Sequence, residues 1–258
     1  MRFLPVFLTV FALSAPAWAA GKAVEYKDGD TVLEGYWADS QCEGATDAPV
    51  VLVVHQWMGL TDYEKMRADM LAAQCYNAFA IDMYGKGVRP SSKEEAGKLA
   101  SLYKGDPVLA RKRLEAGLTA GKTMNGRNYS KIAAFGYCFG GGMVLELARS
   151  GADVNGVVSF HGTLSTSAPA KSGAVKAAMQ IHHGAADPFV PQDEVKSFMD
   201  EMNKAEADWT ITQYAGTVHA FTQQGAGSDV KSGAAYNEKA DARSWAAALN
   251  FLDEIFAK

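Results

Sequence analysis

One segment constrains this chain more than any other: Phe135-Gly136-Tyr137-Cys138-Phe139-Gly140-Gly141-Gly142. It follows the apolar run Ile132-Ala133-Ala134-Phe135 and leads into a helical stretch from Met143 to Arg149. G-x-C-x-G between a buried strand and a helix is a sharp bend that lifts its central residue out of the backbone. Gly136 and Gly140, two before and two after the thiol, let the crossing backbones approach. The helix start places the Phe139 N–H and the positive end of the helix dipole beside Cys138, which favours a thiolate and an oxyanion. An ordinary glycine-rich turn around an inert cysteine would not require this strand–turn–helix context.

The rest of the chain supplies the frame such a bend needs. Val50-Val51-Leu52-Val53-Val54 is continuously apolar and β-branched, as is a strand buried on both faces. Similar runs occur at 78–81, 132–135, 154–160, 178–182 and 209–214, with an earlier strand at 32–37. Between them lie helical patterns. One starts at Thr61-Asp62 and carries Met66, Met70 and Ala73 on one face. A charged segment runs from Ser91 to Met124 with Pro107 near a helix start. Val195, Phe198, Met199 and Met202 stripe another helix, and Trp245, Leu249, Leu252 and Phe256 the last. Alternating strands and helices predict an α/β fold, a mainly parallel sheet with helices on both faces and chemistry in the loops beyond the strands' carboxyl ends.

Those loops hold the partners a nucleophile needs. Asp187, in Gly184-Ala185-Ala186-Asp187-Pro188, follows the strand ending at His182; His219 follows the strand ending at Tyr214. The order nucleophile, acid, base makes Cys138, Asp187 and His219 a candidate triad, in which His219 moves the proton and Asp187 orients its ring. The loop His55-Gln56-Trp57-Met58-Gly59-Leu60 follows the first buried strand. Its Trp57 N–H is the candidate second oxyanion donor beside that of Phe139.

Taken together, Val53 to Gly59, Asp82-Met83-Tyr84-Gly85, Gly136 to Gly141, Gly184 to Asp187 and His219-Ala220-Phe221 resemble the dienelactone hydrolase family of α/β-hydrolases. The resemblance implies the α/β-hydrolase fold, the Cys–Asp–His triad, a carboxymethylenebutenolidase-like hydrolysis of a small ester or lactone, and no metal or organic cofactor. It also implies a pocket formed by Gln56, Tyr84, Lys86, Phe221 and Gln223, and His161, which ends the strand after Phe160, is a further candidate for its lining. Two positions depart from the family. Gln56 stands where the family has a glutamate that pairs with the resting thiol, and an amide cannot take up its proton. Lys86 and Gln223 stand where the family's dienelactone enzymes hold a substrate carboxylate with arginines, so the bidentate fork is lost. Arg89 reads as a solvated loop residue.

The N-terminus carries Arg2, an apolar stretch from Phe3 to Ala15 too short to span a bilayer, and Ala17-Trp18-Ala19. It reads as a signal peptide, residues 1–19, leaving a single domain over 20–258 and a periplasmic or secreted protein without a membrane span. Three cysteines leave at least one unpaired. Cys42 and Cys75 form either a disulfide in that oxidising space or two small core residues.

A net charge of −4 and a sequence pI near 5.8 argue against nucleic acid as the main partner. His182 and His183 are adjacent and point to opposite faces of a strand, which does not suit a metal. Gly121-Lys122-Thr123 lacks the first glycine of a phosphate loop, and Asn128-Tyr129-Ser130 is a glycosylation sequon of consequence only in a eukaryotic secretory route. A small-molecule substrate and a monomer are expected. The alternatives are a binding protein on the hydrolase scaffold, which Gln56 favours, and a redox thiol protein cycling Cys138 through a sulfenic acid.

Overall fold

The computed structural model describes residues 21–45 and 47–257, so the predicted signal peptide, residues 1–19, lies outside the described residues. Its sheet has eight strands: β1 (Lys22–Asp28), β2 (Thr31–Ala38), β3 (Val50–Val54), β4 (Asn77–Ile81), β5 (Ile132–Tyr137), β6 (Gly156–Phe160), β7 (Ala178–Gly184) and β8 (Trp209–Tyr214), in the spatial order β1-β2-β4-β3-β5-β6-β7-β8. From β4 to β8 every pairing is parallel; β2 pairs antiparallel with both β1 and β4. This is the α/β-hydrolase fold.

Burial follows the sequence pattern closely in the centre. Every residue of β3, β4, β5 and β6 is buried. Alternate side chains go to opposite faces, as the pleat demands. Val50, Leu52 and Val54 join one core with helices α2 (Lys93–Gly105), α3 (Pro107–Lys122), α4 (Phe139–Arg149) and α5 (Gln192–Lys204). Val51 and Val53 join the other with α1 (Asp62–Ala72) and α6 (Glu238–Ala257).

Three local expectations change. β1 was not foreseen: Lys22 to Asp28 alternates exposed and half-buried residues at the sheet edge, so no apolar run marks it. The charged segment is two helices, because Asp106 ends α2 and caps α3 at Leu109 N–H, with Pro107 in the first turn. On α1 the predicted methionine face is the outer one, with Met66 45% exposed. The buried face is Glu64, Arg67, Ala68, Leu71 and Ala72. Two charged residues turn inward there because the functional loops satisfy them.

Candidate active site

Cys138 sits at the β5–α4 bend with φ 55° and ψ −114°. A Cβ on Gly136 would fall 2.0 Å from the Gly140 carbonyl oxygen, and one on Gly140 would fall 2.1 Å from that of Val54. The bend therefore closes only with hydrogen at both positions, and the first turn of α4 lies directly against the end of β3. That contact brings Cys138 beside the 55–60 loop.

The acid and base arrive from the next strand ends. His219 Nε2 lies 3.1 Å from Cys138 Sγ, and His219 Nδ1 lies 2.8 Å from Asp187 Oδ2. Asp187 Oδ1 accepts the Phe189 N–H at 2.8 Å, which fixes the carboxylate behind the imidazole. Asp187 is buried, His219 nearly so, and Cys138 half-buried. The structure thus brings together the three residues the sequence singled out.

The electrostatics favour an ion pair. Burial works against charge on His219, but the Cys138 sulfur and the Asp187 carboxylate outweigh it and raise its pKa to about 10. Burial would likewise push the Cys138 thiol up. The His219 charge and hydrogen bond, the Phe139 N–H and the Lys104 ammonium instead hold it below its ordinary value. Both shifts favour a thiolate facing an imidazolium over the neutral pair.

The 55–60 loop is built to present one amide. His55 Nδ1 lies 2.6 Å from the Gln56 carbonyl, and the Met83 N–H donates to His55 Nε2 at 3.1 Å, so the proton is on Nδ1. Burial lowers the His55 pKa to about 4 and keeps the ring neutral. Gly59 N–H also donates to the Gln56 carbonyl, at 3.1 Å. With that oxygen doubly held and the peptide trans, the Trp57 N–H is turned the opposite way, where it has no hydrogen-bond partner within the described protein. Tyr84 donates its hydroxyl to the Trp57 carbonyl at 3.0 Å. Glu64, fully buried, accepts from the Gln56 N–H at 3.1 Å and from the Thr61 N–H and hydroxyl at 2.9 and 2.7 Å.

The predicted pocket residues divide. Gln56 and Tyr84 lie at this loop; Tyr84 packs on His55 and Phe139 and supports the loop from below. No hydrogen bond joins the Gln56 side chain to Cys138, whose partner is His219. His161 and Phe221 are both 0% exposed, so they form the floor behind the site rather than a wall open to substrate. The Lys86 ammonium is engaged by Glu25 and lies 3.9 Å from Glu34 on the β1–β2 hairpin, so its charge is already committed. Gln223 is half-buried and its side chain makes no hydrogen bond. Sequence reasoning assigned no role to His55, Glu64, Arg67 or Thr222. Thr61 followed by Glu64 is a capping-box signal that pointed to Glu64; Thr222 left no such mark.

Cys42 and Cys75 are joined in a disulfide with Cα atoms 5.1 Å apart, which leaves Cys138 as the free thiol. Among the described residues, no group of three His, Cys, Asp or Glu side chains is placed to hold a metal ion, and no helix is long and apolar enough to cross a membrane.

Comparison with known proteins bears on the family and the fold. An uncharacterized protein of Caenorhabditis elegans is 37% identical over 150 residues, covering 56% of this chain and 93% of that protein. The crystal structure of a dienelactone hydrolase-like promiscuous phosphotriesterase from metagenomic libraries superposes with a TM-score of 0.83 at 36% identity, over 91% of this chain and 98% of that one. Esterase 2 of Thermogutta terrifontis, at 20% identity and a TM-score of 0.60 over 93% and 96% of the two chains, shares the fold. The sequence profile of the dienelactone hydrolase family matches residues 33–256, and the chain belongs to that family.

Proposed function

We propose that this protein cleaves a small ester or lactone through an acyl-thioester on Cys138. The chain is an ester or lactone hydrolase by family; the observation that carries the Cys-dependent reading is the 3.1 Å approach of His219 Nε2 to Cys138 Sγ, with Asp187 behind the ring.

The cycle follows from those positions. The Cys138 thiolate adds to the substrate carbonyl carbon, and the carbonyl electron pair moves onto oxygen. The Phe139 N–H, which faces Sγ at rest, and the Trp57 N–H take up that oxyanion. The oxyanion collapses, the carbon–alkoxy bond breaks, and the proton on His219 Nε2 passes to the leaving oxygen. In a lactone this oxygen stays tethered as the ring opens. Neutral His219 then accepts a proton from water as the hydroxide adds to the thioester. Collapse expels the thiolate, restores the ion pair and releases the acid.

The substrate follows from what the site lacks. With Lys86 paired to Glu25 and an uncharged Gln223, neither position holds a free cation for a substrate carboxylate. The substrate therefore need not be a carboxylated dienelactone. Placement of the protein in a periplasm or outside the cell rests on the N-terminal pattern, and the Cys42–Cys75 disulfide supports an oxidising compartment.

A panel of aliphatic and aryl esters, lactones and an aryl phosphotriester, run with wild type, Cys138→Ala and Cys138→Ser, tests the reading. Loss of turnover in the alanine variant is expected; equal rates in all three would place the activity elsewhere. Binding without turnover in the wild type would favour a ligand-binding role. The aligned proton path to Cys138 favours turnover.

A further inference from the structure

Behind the Cys138 bend lies a second imidazole that the cycle above does not use. His161 follows β6 with φ 41° and is 0% exposed. The Cys138 N–H is shared between the Phe160 carbonyl at 3.0 Å and His161 Nδ1 at 3.1 Å. A ring nitrogen that accepts carries no proton, so the neutral ring is protonated on Nε2. That nitrogen lies 2.8 Å from Thr222 Oγ1, which is therefore its acceptor.

Thr222 stands three residues after His219, on the segment that carries the base. Its own hydroxyl proton is free for Tyr63 Oη, 2.6 Å away. Arg67 donates Nε to Tyr63 Oη at 3.2 Å, and Nη2 to the Thr222 carbonyl at 2.8 Å and to Asp241 at 2.7 Å. A continuous set of bonds thus runs from the nucleophile's backbone, through His161, to the loop of the base, and is pinned to α1 and α6. The His161 ring also stands edge-on to His219, with centroids 5.2 Å apart, and to Phe221 at 5.1 Å.

We propose that His161 is a positioning residue: by bonding the Cys138 N–H on one side and Thr222 Oγ1 on the other, it fixes the nucleophile bend and the base loop in one register and so sets how much Cys138 is held as thiolate. The proposal rests on the reading of Cys138 as the nucleophile. It requires the ring to stay neutral, since a proton on Nδ1 would set donor against the Cys138 N–H. The surroundings enforce this. Cys138 and Tyr137 face it from the bend, His219 with Asp187 behind it from the base side, and Tyr63 and Arg67 from α1, with Asp241 of α6 beyond Arg67. Burial, then the charges of His219 and Arg67, hold its pKa well below the ordinary imidazole value. His161 can thus sit against an imidazolium without competing for its proton.

The test reads the thiolate directly, by the pH profile of Cys138 alkylation with iodoacetamide, alongside kcat and KM on the best ester. His161→Phe keeps an aromatic ring against His219 and removes both bonds. The expected result is a thiolate midpoint displaced upward by about one pH unit, a tenfold change in that equilibrium, and kcat lower by about 10-fold to 100-fold at similar KM. His161→Asn, whose amide oxygen can take the Cys138 N–H, is expected to recover most of the shift. Thr222→Val breaks the same link without touching the ring, and serves if the phenylalanine variant fails to fold; its midpoint should move the same way by a smaller amount. Alkylation profiles that superpose on wild type in the folded variants would overturn the proposal and leave His161 as packing alone. Hydrolysis surviving in Cys138→Ala would instead overturn the reading of the nucleophile, while the alkylation profiles would still report on His161.

Discussion

His219 Nε2 lies 3.1 Å from Cys138 Sγ while its other nitrogen lies 2.8 Å from Asp187 Oδ2. The two contacts act together: the carboxylate makes a proton on the ring favourable, and that proton makes the thiolate favourable. The hydrogen-bond partner of Cys138 Sγ is His219, and the Gln56 side chain makes no bond to it.

This arrangement gives a pH dependence of definite sign. An isolated thiol of pKa 9.0 gains anion tenfold per unit as pH rises toward 9. In the protein the thiol is held below its ordinary value and His219 is raised to about 10, so the anion forms at lower pH than in an isolated thiol. Alkylation of Cys138 by iodoacetamide should therefore reach its plateau at lower pH than an isolated thiol does, and fall on the acid side as the thiolate takes a proton. A rate that climbs steadily toward pH 9 would mean that no ion pair exists at rest.

The close crossing of α4 and β3 makes Gly140 intolerant. A methyl there falls 2.1 Å from the Val54 carbonyl oxygen. Gly140→Ala is expected to cost more than about 4 kcal/mol in urea unfolding, or to prevent folding. Gly225→Ala, whose Cβ meets nothing within 4 Å, should cost less than about 1 kcal/mol.

His55 is predicted to matter for rate although it is fully buried. His55→Phe keeps the stacking on Phe139 and the edge contact with Tyr84 but leaves the Met83 N–H buried and unpaired. The expected loss is about 1–3 kcal/mol of stability. Loosening of the Gln56–Trp57 peptide should also lower kcat by about 10-fold to 100-fold, less than full removal of an oxyanion donor. Wild-type kcat in a folded His55→Phe protein would separate this loop from catalysis.

The Cys42–Cys75 bridge spans 33 residues and closes the segment that carries β3 and α1. Loop-closure entropy puts its contribution at about 3–4 kcal/mol. Cys42→Ser/Cys75→Ser should therefore lower the Tm clearly yet leave activity at 25 °C near wild type, because neither sulfur reaches Cys138. Loss of activity in the folded double variant would tie the bridge to the chemistry.

The parts of this molecule legible from sequence are those where one force acts alone. β3 to β6 are buried on both faces, so hydrophobicity reports them directly. The bend at Cys138 is dictated by backbone contact, so its glycines announce it. Asp187 and His219 follow strands and are placed by chain order. What escaped is where polar and apolar demands mix. β1 is an edge strand with no apolar run. α1 buries Glu64 and Arg67 beside Ala68, Leu71 and Ala72, so its methionines mark the wrong face. The support of the site by His55, Glu64 and Thr222 depends on bonds between residues far apart in sequence, such as the 159 positions between Tyr63 and Thr222, and no local pattern carries that information.

Rapid acid quench of the enzyme with a slowly hydrolysed ester, followed by peptide mass spectrometry, tests the covalent reading most directly. The account predicts that the peptide containing Cys138 gains the mass of the acyl group, that the adduct decays at the rate of turnover, and that Cys138→Ala forms neither adduct nor product. Product formed at the wild-type rate with no acyl group on Cys138 at any time would contradict it.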